Sequence, residues 1–211
     1  MRFVLSVALV GLVVCVGCEP PKPTQEEAVA AIKRLGGKVV ENQVPAGIIV
    51  DGNKTKVRVY FGSTNITDAG LVHLKGLTNL TTLNLDYTNV TDAGLVHLKH
   101  LEALTGLEEL FLANTKVTDA GLICLKGMPR LHRLALHGTK VTDVGLVHLR
   151  GLENLEVLHL GKTEVTDAGL VHLKGLTNLK RMDLHGTNIT DAGLVHLKEL
   201  PKLEELHLSD T

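Results

Sequence analysis

A nearly identical segment recurs along the chain and constrains its fold more than any other feature. The segment reads NITDAGLVHLKGL where it starts at Asn65. Counted from the residue before the Thr-Asp pair, its copies begin at Ile66, Val90, Val117, Val141, Val165 and Ile189, which gives offsets of 24, 27, 24, 24 and 24 residues. Periods of this length are typical of solenoids, in which each coil packs only against its neighbours. The sequence therefore predicts one continuous solenoid.

Apolar residues recur at fixed positions inside each copy, and we expect them to face the core. In one copy these positions are Leu80, Leu83, Leu85, Val90, Leu95, Leu98 and Leu101. Full burial of such a set contributes about 10 to 20 kcal/mol. Ordering the backbone of one coil costs roughly 24 kcal/mol or more. One coil cannot fold alone, so the repetition is required for stability.

The segment LNLDYTNVTDAGLVHL resembles the leucine-rich repeat pattern L-x-x-L-x-L. It is most similar to the cysteine-containing subclass, with Thr in place of Cys and one residue missing before the Val. The resemblance covers residues 57–211 and implies an α/β fold. The implied fold is a right-handed solenoid with a parallel sheet of about seven strands on the concave face and short helices on the convex face. The strands are expected around Val59, Leu83, Leu110, Leu134, Leu158, Met182 and Leu206.

The copied segment contains Asp, Thr and His, but each residue type has a structural explanation. We expect Asp68 to cap the helix that begins at Ala69, because a carboxylate accepts hydrogen bonds from the first backbone N–H groups. Gly70 is small and lets adjacent helices approach. The threonine that replaces Cys is expected to bond backbone groups at the corner after each strand. The copied segment is therefore predicted to be architecture and not an active site.

The first residues indicate export. Residues 1–17 combine a positive start with an apolar run that is too short for a bilayer, which needs about 20 residues, and predict a signal peptide. The sequence around Gly17 and Cys18 resembles the lipobox of bacterial lipoproteins, although Cys15 stands where Leu is usual. The resemblance implies lipidation of Cys18 and a location at a bacterial membrane, facing the periplasm or the exterior. An ordinary cleaved signal peptide with an unmodified Cys18 is the alternative.

The remaining organisation follows from turn and capping signals. Residues 18–23 are Pro-rich and predict a stiff tether. Residues 24–56 predict an N-terminal cap, in which Thr24 and Glu27 form a capping box and Gly36 ends the helix. Residues 57–211 predict the repeats, the last of them incomplete. An uncovered last strand predicts fraying or end-to-end self-association.

Residues free to vary should carry recognition, and these lie on the outward positions of the strands. Tyr60, Phe111 and Tyr87 are aromatic side chains that the core does not need, which is typical of partner anchors. The predicted partner-binding residues are Arg58, Tyr60, Asn84, Asp86, Tyr87, Glu109, Phe111, Arg133, His137, His159, Arg181, Asp183, His185 and His207. A polar solvated surface without a partner is the alternative.

Three of these residues, His159, Asp183 and His207, occupy successive strands about 4.8 Å apart. They are candidate ligands of a zinc-like ion, and clustered imidazoles also suit a pH-sensitive docking surface. A plain polar face is again the simpler interpretation. A second histidine row, His73, His97, His148, His172 and His196, is expected to be solvated on the convex side, with Cys124 in the same row.

Composition excludes other classes of function. The formal net charge is -1, which gives no basic surface for nucleic acid. Serine is scarce, and no glycine-rich phosphate loop follows a strand, so neither an enzyme nor a cofactor is expected. The sequence predicts an exported, membrane-tethered, non-catalytic interaction module that binds another protein on its concave face, with a glycan as the second ligand class. The alternatives are a metal-dependent or pH-dependent binding protein and a structural cell-surface protein.

Overall fold

The structure is a computed structural model that describes residues 23–42, 56–77, 79–99 and 106–211. The predicted signal peptide, Cys18 and most of the tether lie outside these residues. So do Leu101 and part of the stretch between Val90 and Val117, where the offset is 27 residues. The lipidation of Cys18 and the proposed domain boundaries therefore remain predictions.

Eight strands of the described chain form one sheet, and they stand in it in chain order. They are β1 (Lys38–Asn42), β2 (Lys56–Tyr60), β3 (Leu80–Asn84), β4 (Glu109–Phe111), β5 (Arg133–Ala135), β6 (Val157–His159), β7 (Arg181–Asp183) and β8 (Glu205–His207). Strands β2 to β8 are parallel, whereas β1 pairs with β2 antiparallel. The seven predicted repeat strands are confirmed, and the antiparallel β1 makes the sheet mixed.

A short helical segment follows each strand from β2 to β7. The α-helices are α1 (Gln25–Arg34), α2 (Asp92–Lys99), α3 (Asp143–Leu146), α4 (Asp167–Leu170) and α5 (Asp191–Leu197). Residues Asp68–Gly76 and Gly121–Gly127 are 3-10 helices, and 3-10 turns at Val147–Leu149 and Val171–Leu173 extend α3 and α4. Within the described residues, no helix has both the length and the apolar character needed to cross a membrane.

The N-terminal elements cover the first repeat. Thr24 caps α1 in a reciprocal capping box with Glu27, and Gly36 adopts a left-handed φ of 82° where the chain leaves the helix. These features confirm the predicted helix and its ends. Ala28 and Ile32 of α1 are buried in the same core as the repeats. Helix α1 and strand β1 therefore close the side of β2 that has no preceding repeat.

The core is a stack of leucine and valine layers between the strands and the helices. In the repeat that begins at β3, Leu80, Leu83, Leu85, Val90, Leu95 and Leu98 are buried. These are the residues that the sequence placed inside, apart from Leu101, which lies outside the described residues. Leu206 of β8 is 36% exposed, because no following strand covers it in this chain.

The repeated aspartates link neighbouring repeats and do not cap their own helices, so the cap predicted for Asp68 is wrong. Asp68 accepts hydrogen bonds from the backbone N–H and the hydroxyl of Thr91, 23 residues away, at 2.8 and 2.7 Å. The same pair of bonds joins Asp92 to Thr118, Asp119 to Thr142, Asp143 to Thr166 and Asp167 to Thr190. In the later repeats the threonine hydroxyl accepts from the N–H two residues on, as Thr142 does from Val144, whereas Thr67 before the helix of Asp68 makes no such bond.

The repeated glycine makes room for this bond. A Cβ built on Gly94 would stand 2.3 Å from the Oδ1 atom of Asp68, and the distance at Gly145 to Asp119 is the same. The predicted need for a small residue is confirmed, and the reason is now specific. The glycine lets the carboxylate of the preceding repeat pass beside its own helix.

Most of the threonines that replace Cys in the subclass pattern are buried, although Thr64 is half-buried and Thr211 is exposed, and all but Thr64 donate to backbone carbonyls at the corner after a strand. Their hydroxyls reach the leucine oxygen three residues before, at 2.5 to 2.9 Å, for Thr88, Thr115, Thr139, Thr163, Thr187 and Thr211. These bonds confirm the role predicted for the threonines.

The convex histidine row is less solvated than expected. His73, His97, His148, His172 and His196 are half-buried, and the Nδ1 atom of His148 is buried without a hydrogen-bond partner in the described structure. Cys124 is buried in the core. In four of the repeats, the side chain just before this row is exposed instead: Val96, Ile123, Val147 and Val195. On an α-helix, the side chains of Val96 and His97 each point about 130° away from the direction midway between the buried Leu95 and Leu98. Helix geometry alone therefore could not decide which of the two is the more exposed.

Candidate functional site

The outward side chains of the strands form one continuous surface, which we call the concave face. The strand register aligns them in columns. The central column is Tyr60, Asn84, Phe111, Ala135, His159, Asp183 and His207. The column before it contains Arg58, Glu109, Arg133 and Arg181, and the column after it contains Asp86, His137 and His185. The structure therefore places the predicted partner-binding residues on this face, with Tyr87 in the turn at its rim.

The aromatic side chains are concentrated on the part of the face formed by β2 to β4. Tyr60 and Phe111 are half-buried on β2 and β4, and Tyr87 follows β3 with 61% of its surface exposed. The apolar core does not contain these rings. They are therefore available to a ligand.

Tyr87 adopts an unusual backbone conformation. Its φ is 56°, in the left-handed region that bulky residues rarely occupy. The same position of the other repeats holds Ser63, Asn114, Gly138, Lys162, Gly186 and Asp210, all with positive φ. Five of these six are Gly, Asn, Asp or Ser, and the sixth is Lys. A tyrosine here costs backbone energy without burying its ring, and such strain is most often found at functional sites.

A hydrogen-bonded turn fixes the side chain of Asp86, which directly precedes Tyr87. Asp86 accepts from the backbone N–H of Ala113 at 2.7 Å and from the amide of Asn84 at 3.2 Å. Burial raises the pKa of Asp86 above its ordinary value, although these hydrogen bonds and the charges of His137 and His159 oppose the shift. These hydrogen bonds hold Asp86 in the turn that follows β3.

A separate group of polar side chains consists of His159 on β6, Asp183 on β7 and His185 in the turn after β7. Asp183 contacts the Nδ1 atom of His185 at 2.8 Å and that of His159 at 3.7 Å. Burial opposes ionisation of Asp183, but the hydrogen bonds and charge of His185 outweigh it, and the pKa of Asp183 falls below its ordinary value. Burial also lowers the pKa of His159, and the charges of His137 and Arg133 add to this effect against the opposing Asp183.

The candidate metal ligands are not brought together as a set. Asp183 reaches His159 and His185, whereas His207 on β8 is exposed. In the described ranges, no group of three His, Cys, Asp or Glu side chains has an arrangement that could hold a metal ion. The geometry supports a carboxylate shared by two imidazoles.

The column before the central one contains charged side chains, some of which are paired and some of which are not. Arg181 forms an ion pair with Glu205 at 3.1 Å, and Glu109 accepts from the Thr82 hydroxyl at 3.1 Å. Arg133 makes no ion pair or hydrogen bond within the described structure, and its Nε atom is buried without a partner.

Two small residues of the face were not selected from the sequence. Ala135 is 5% exposed beneath its larger neighbours. Gly161 leaves space for the ring of His185, whose Nδ1 atom would stand 2.2 Å from a Cβ at that position. A small residue in a column of larger ones was the signal that could have identified Ala135, whereas the column of Gly161 also contains Gly62, Ala113 and Ser209 and gave no such signal.

Comparisons with known proteins agree with this architecture. Two family models, both described as leucine-rich repeat, match residues 76–99 and 153–211. Among solved structures, internalin C2 from Listeria monocytogenes is similar, with 28% identity, a TM-score of 0.55, and coverage of 72% of this chain and 71% of that one. A second internalin from the same organism has 21% identity and a TM-score of 0.42, over 66% of this chain and 51% of its own. No curated protein matches the sequence.

The repeats and the strand and helix arrangement define the fold class of this chain: it has a leucine-rich repeat solenoid fold.

Proposed function

We propose that this chain is an exported, non-catalytic interaction module that binds another protein on its concave face. The interaction centres on the part formed by β2 to β5. There the aromatic rings of Tyr60, Tyr87 and Phe111 and the guanidinium group of Arg133 have no partner within the described structure. Toward β7 and β8, by contrast, Asp183 and Arg181 are already paired with residues of the chain itself. The leucine-rich repeat class supports this proposal, because its strand face carries no part of the core.

The observation that carries the proposal is the exposed Tyr87 ring at a φ of 56°. A binding role explains why an aromatic side chain occupies a turn position that favours small residues. Aromatic anchors contribute much of the binding energy in protein interfaces. The same surface is compatible with a glycan, since aromatic rings also stack on sugars.

Site-specific photocrosslinking in the native host tests this assignment. A benzoylphenylalanine is placed at Tyr87 or, as a matched control, at the exposed Val195 on the opposite side of the repeats. We expect one defined product from position 87 and none from position 195. The Phe111→Ala change should then reduce crosslinking from position 87. Products only from position 195 would place the interface on the convex side and contradict the proposal.

We further propose that Cys18 is lipidated and tethers the repeats to a bacterial membrane. The support is the leader sequence and its resemblance to a lipobox. Mass analysis of the mature N-terminus, with and without globomycin, tests it directly. A diacylglyceryl group on Cys18 that disappears with the inhibitor supports the anchor. An unmodified Cys18 at the mature end, or a cleavage site elsewhere, contradicts it.

A pH-dependent binding protein is the second candidate function. It is favoured by the contacts of Asp183 with His159 and His185, because imidazoles change charge near neutral pH. Measuring partner affinity above and below the histidine pKa range distinguishes the two. An affinity that is independent of pH removes this second candidate and leaves the first intact.

A further inference from the structure

We propose that Arg133 on the concave face receives a carboxylate from an acidic segment of the partner protein. The inference rests on the proposed function and specifies the chemistry of its ligand. It follows from the position of the guanidinium group at the middle of the sheet, from the pairing of the charges around it, and from the apolar surface beside it.

Arg133 lies on β5, between β4 and β6, with Glu109 and Val157 as its register neighbours. Its side chain is half-buried, and its Nε–H is covered without an acceptor in the described structure. A buried unpaired donor is unfavourable, more so on a charged group. A carboxylate approaching from the open side of the face can accept from the two Nη groups of the guanidinium, while the Nε–H stays covered.

The neighbouring carboxylates that could neutralise Arg133 have other partners. Glu109 turns toward Thr82, at 3.1 Å, on the side away from Arg133. Asp183 is held by His185 and His159, and Asp86 by Ala113 and Asn84. None of these carboxylates forms an ion pair with Arg133 in the described structure, which leaves its guanidinium open to an external anion.

Two histidines lie close to Arg133. The charges of Arg133 and His137 both disfavour protonation of His159, which places the three groups close enough to repel one another. An external carboxylate would reduce this repulsion. Charge complementarity therefore selects an acidic ligand over a basic one.

Part of the surface next to Arg133 is apolar. Phe111 lies on β4 beside Ala135, which follows Arg133 by two residues on the same face of β5. Val157 borders Arg133 on β6. An acidic residue of the partner would thus lie beside an aliphatic or aromatic one. An isolated inorganic anion could not use this apolar surface.

Selection of a random 12-residue peptide library, displayed on phage, on the full chain tests the inference. We expect the enriched peptides to contain Asp or Glu next to an apolar residue. For a synthetic copy of an enriched peptide, Arg133→Gln should weaken binding by about 10-fold to 100-fold. Replacing the peptide's acidic residue by its amide should weaken binding to the same extent. The amide peptide should bind the Arg133→Gln variant no more than about 2-fold more weakly than the acidic peptide binds that variant. The reason is that the two changes remove one and the same interaction.

Arg130→Gln is the matched control, since Arg130 is exposed in the turn before β5 and its loss changes the net charge equally. It should leave the affinity unchanged. Urea unfolding of both variants checks that they fold, and no large loss is expected because Arg133 has no partner to lose.

The outcomes separate this inference from the proposed function. Peptides that need Phe111 but show no acidic preference, or that bind Arg133→Gln normally, would overturn the inference and leave the concave interface standing. Equal weakening by Arg130→Gln would also overturn it, because only net charge would then matter. Peptides insensitive to both Phe111→Ala and Arg133→Gln, or no enrichment at all, would contradict both proposals.

Discussion

The carboxylate of Asp119 accepts two hydrogen bonds from Thr142 of the next repeat, one from the backbone N–H at 2.8 Å and one from the hydroxyl at 2.7 Å. The Thr142 hydroxyl in turn accepts from the N–H of Val144 at the start of α3. One carboxylate thus fixes the residue that caps the following helix. Helix capping and repeat stacking are therefore coupled in this solenoid.

Replacing Asp119 by Ala should destabilise the fold by about 1 to 3 kcal/mol, because hydrogen bonds to a charged acceptor are lost across a repeat interface. Urea unfolding followed by circular dichroism measures the change. Asp191→Ala is the control, since Asp191 holds the same position but is exposed and no threonine of a later repeat bonds it within the described chain. An equal loss from both variants would show that the effect comes from the helix end alone.

Replacing Gly145 by Ala should also destabilise the fold, by about 1 to 3 kcal/mol, as is usual for overpacking. The added Cβ would stand 2.3 Å from the Asp119 carboxylate. Gly151→Ala is the matched control, because nothing lies within 4 Å of a Cβ there. In the Asp119→Ala background the Gly145→Ala change should cost less. Additive losses in that double variant would rule out the proposed contact.

Replacing Tyr87 by Asn should stabilise the chain by about 1 kcal/mol, because Asn tolerates the left-handed region better than an aromatic residue does. The same change should weaken partner binding if Tyr87 is an anchor. Lys162→Asn is the control: its φ is 53° at the equivalent turn, so it should be stabilising without affecting binding. Thermal unfolding and the crosslinking yield give the two readouts. A Tyr87→Asn variant that is less stable than the parent would mean that the ring has a structural role.

Asp86 and Asp183 should respond to pH with opposite signs. The raised pKa of Asp86 means that its ionisation disfavours the folded state, so this cost grows as pH rises from its unfolded pKa to its folded pKa. The lowered pKa of Asp183 means that its ionisation stabilises the fold above the unfolded pKa, and that this contribution is lost as pH falls through the folded pKa. Asp86→Asn should therefore stabilise the chain near neutral pH, and Asp183→Asn should destabilise it.

Urea unfolding of the two variants near neutral pH and well below the ordinary aspartate pKa provides the measurement. Both differences from the parent should shrink at the acidic pH, where the parent carboxyls are protonated. Each variant is the control for the other, because both replace one carboxyl by an amide on the same face. Shifts of the same sign near neutral pH would contradict the assigned environments.

Much of the fold could be predicted because it depends on local patterns. The capping box at Thr24, the left-handed Gly36 and the leucine spacing around Leu83 each follow from contacts within a few residues or from one repeated period. The columns of the concave face were also predictable. Once equal repeats stack in register, the side chains that do not face the core must align.

The sequence could not reveal whether a side chain bonds to its own repeat or to the next one. A cap at the start of its own helix and a bond to the next repeat both suit an aspartate such as Asp68, and the copied segment offers both partners. The orientation of His97 relative to Val96 was undetermined for a similar reason, since both lie at equal angles from the core. Packing between neighbouring repeats decided each of these outcomes.

By itself, the sequence determined that the chain forms a stack of leucine layers, because a single coil buries too little apolar surface to offset its loss of conformational entropy. Only the tertiary structure decided which charges of the concave face are neutralised within the chain and which, like Arg133, are not. Ion pairs and hydrogen bonds depend on distances of a few ångströms between strands about 25 residues apart, and the spacing of residues along the chain does not fix those distances.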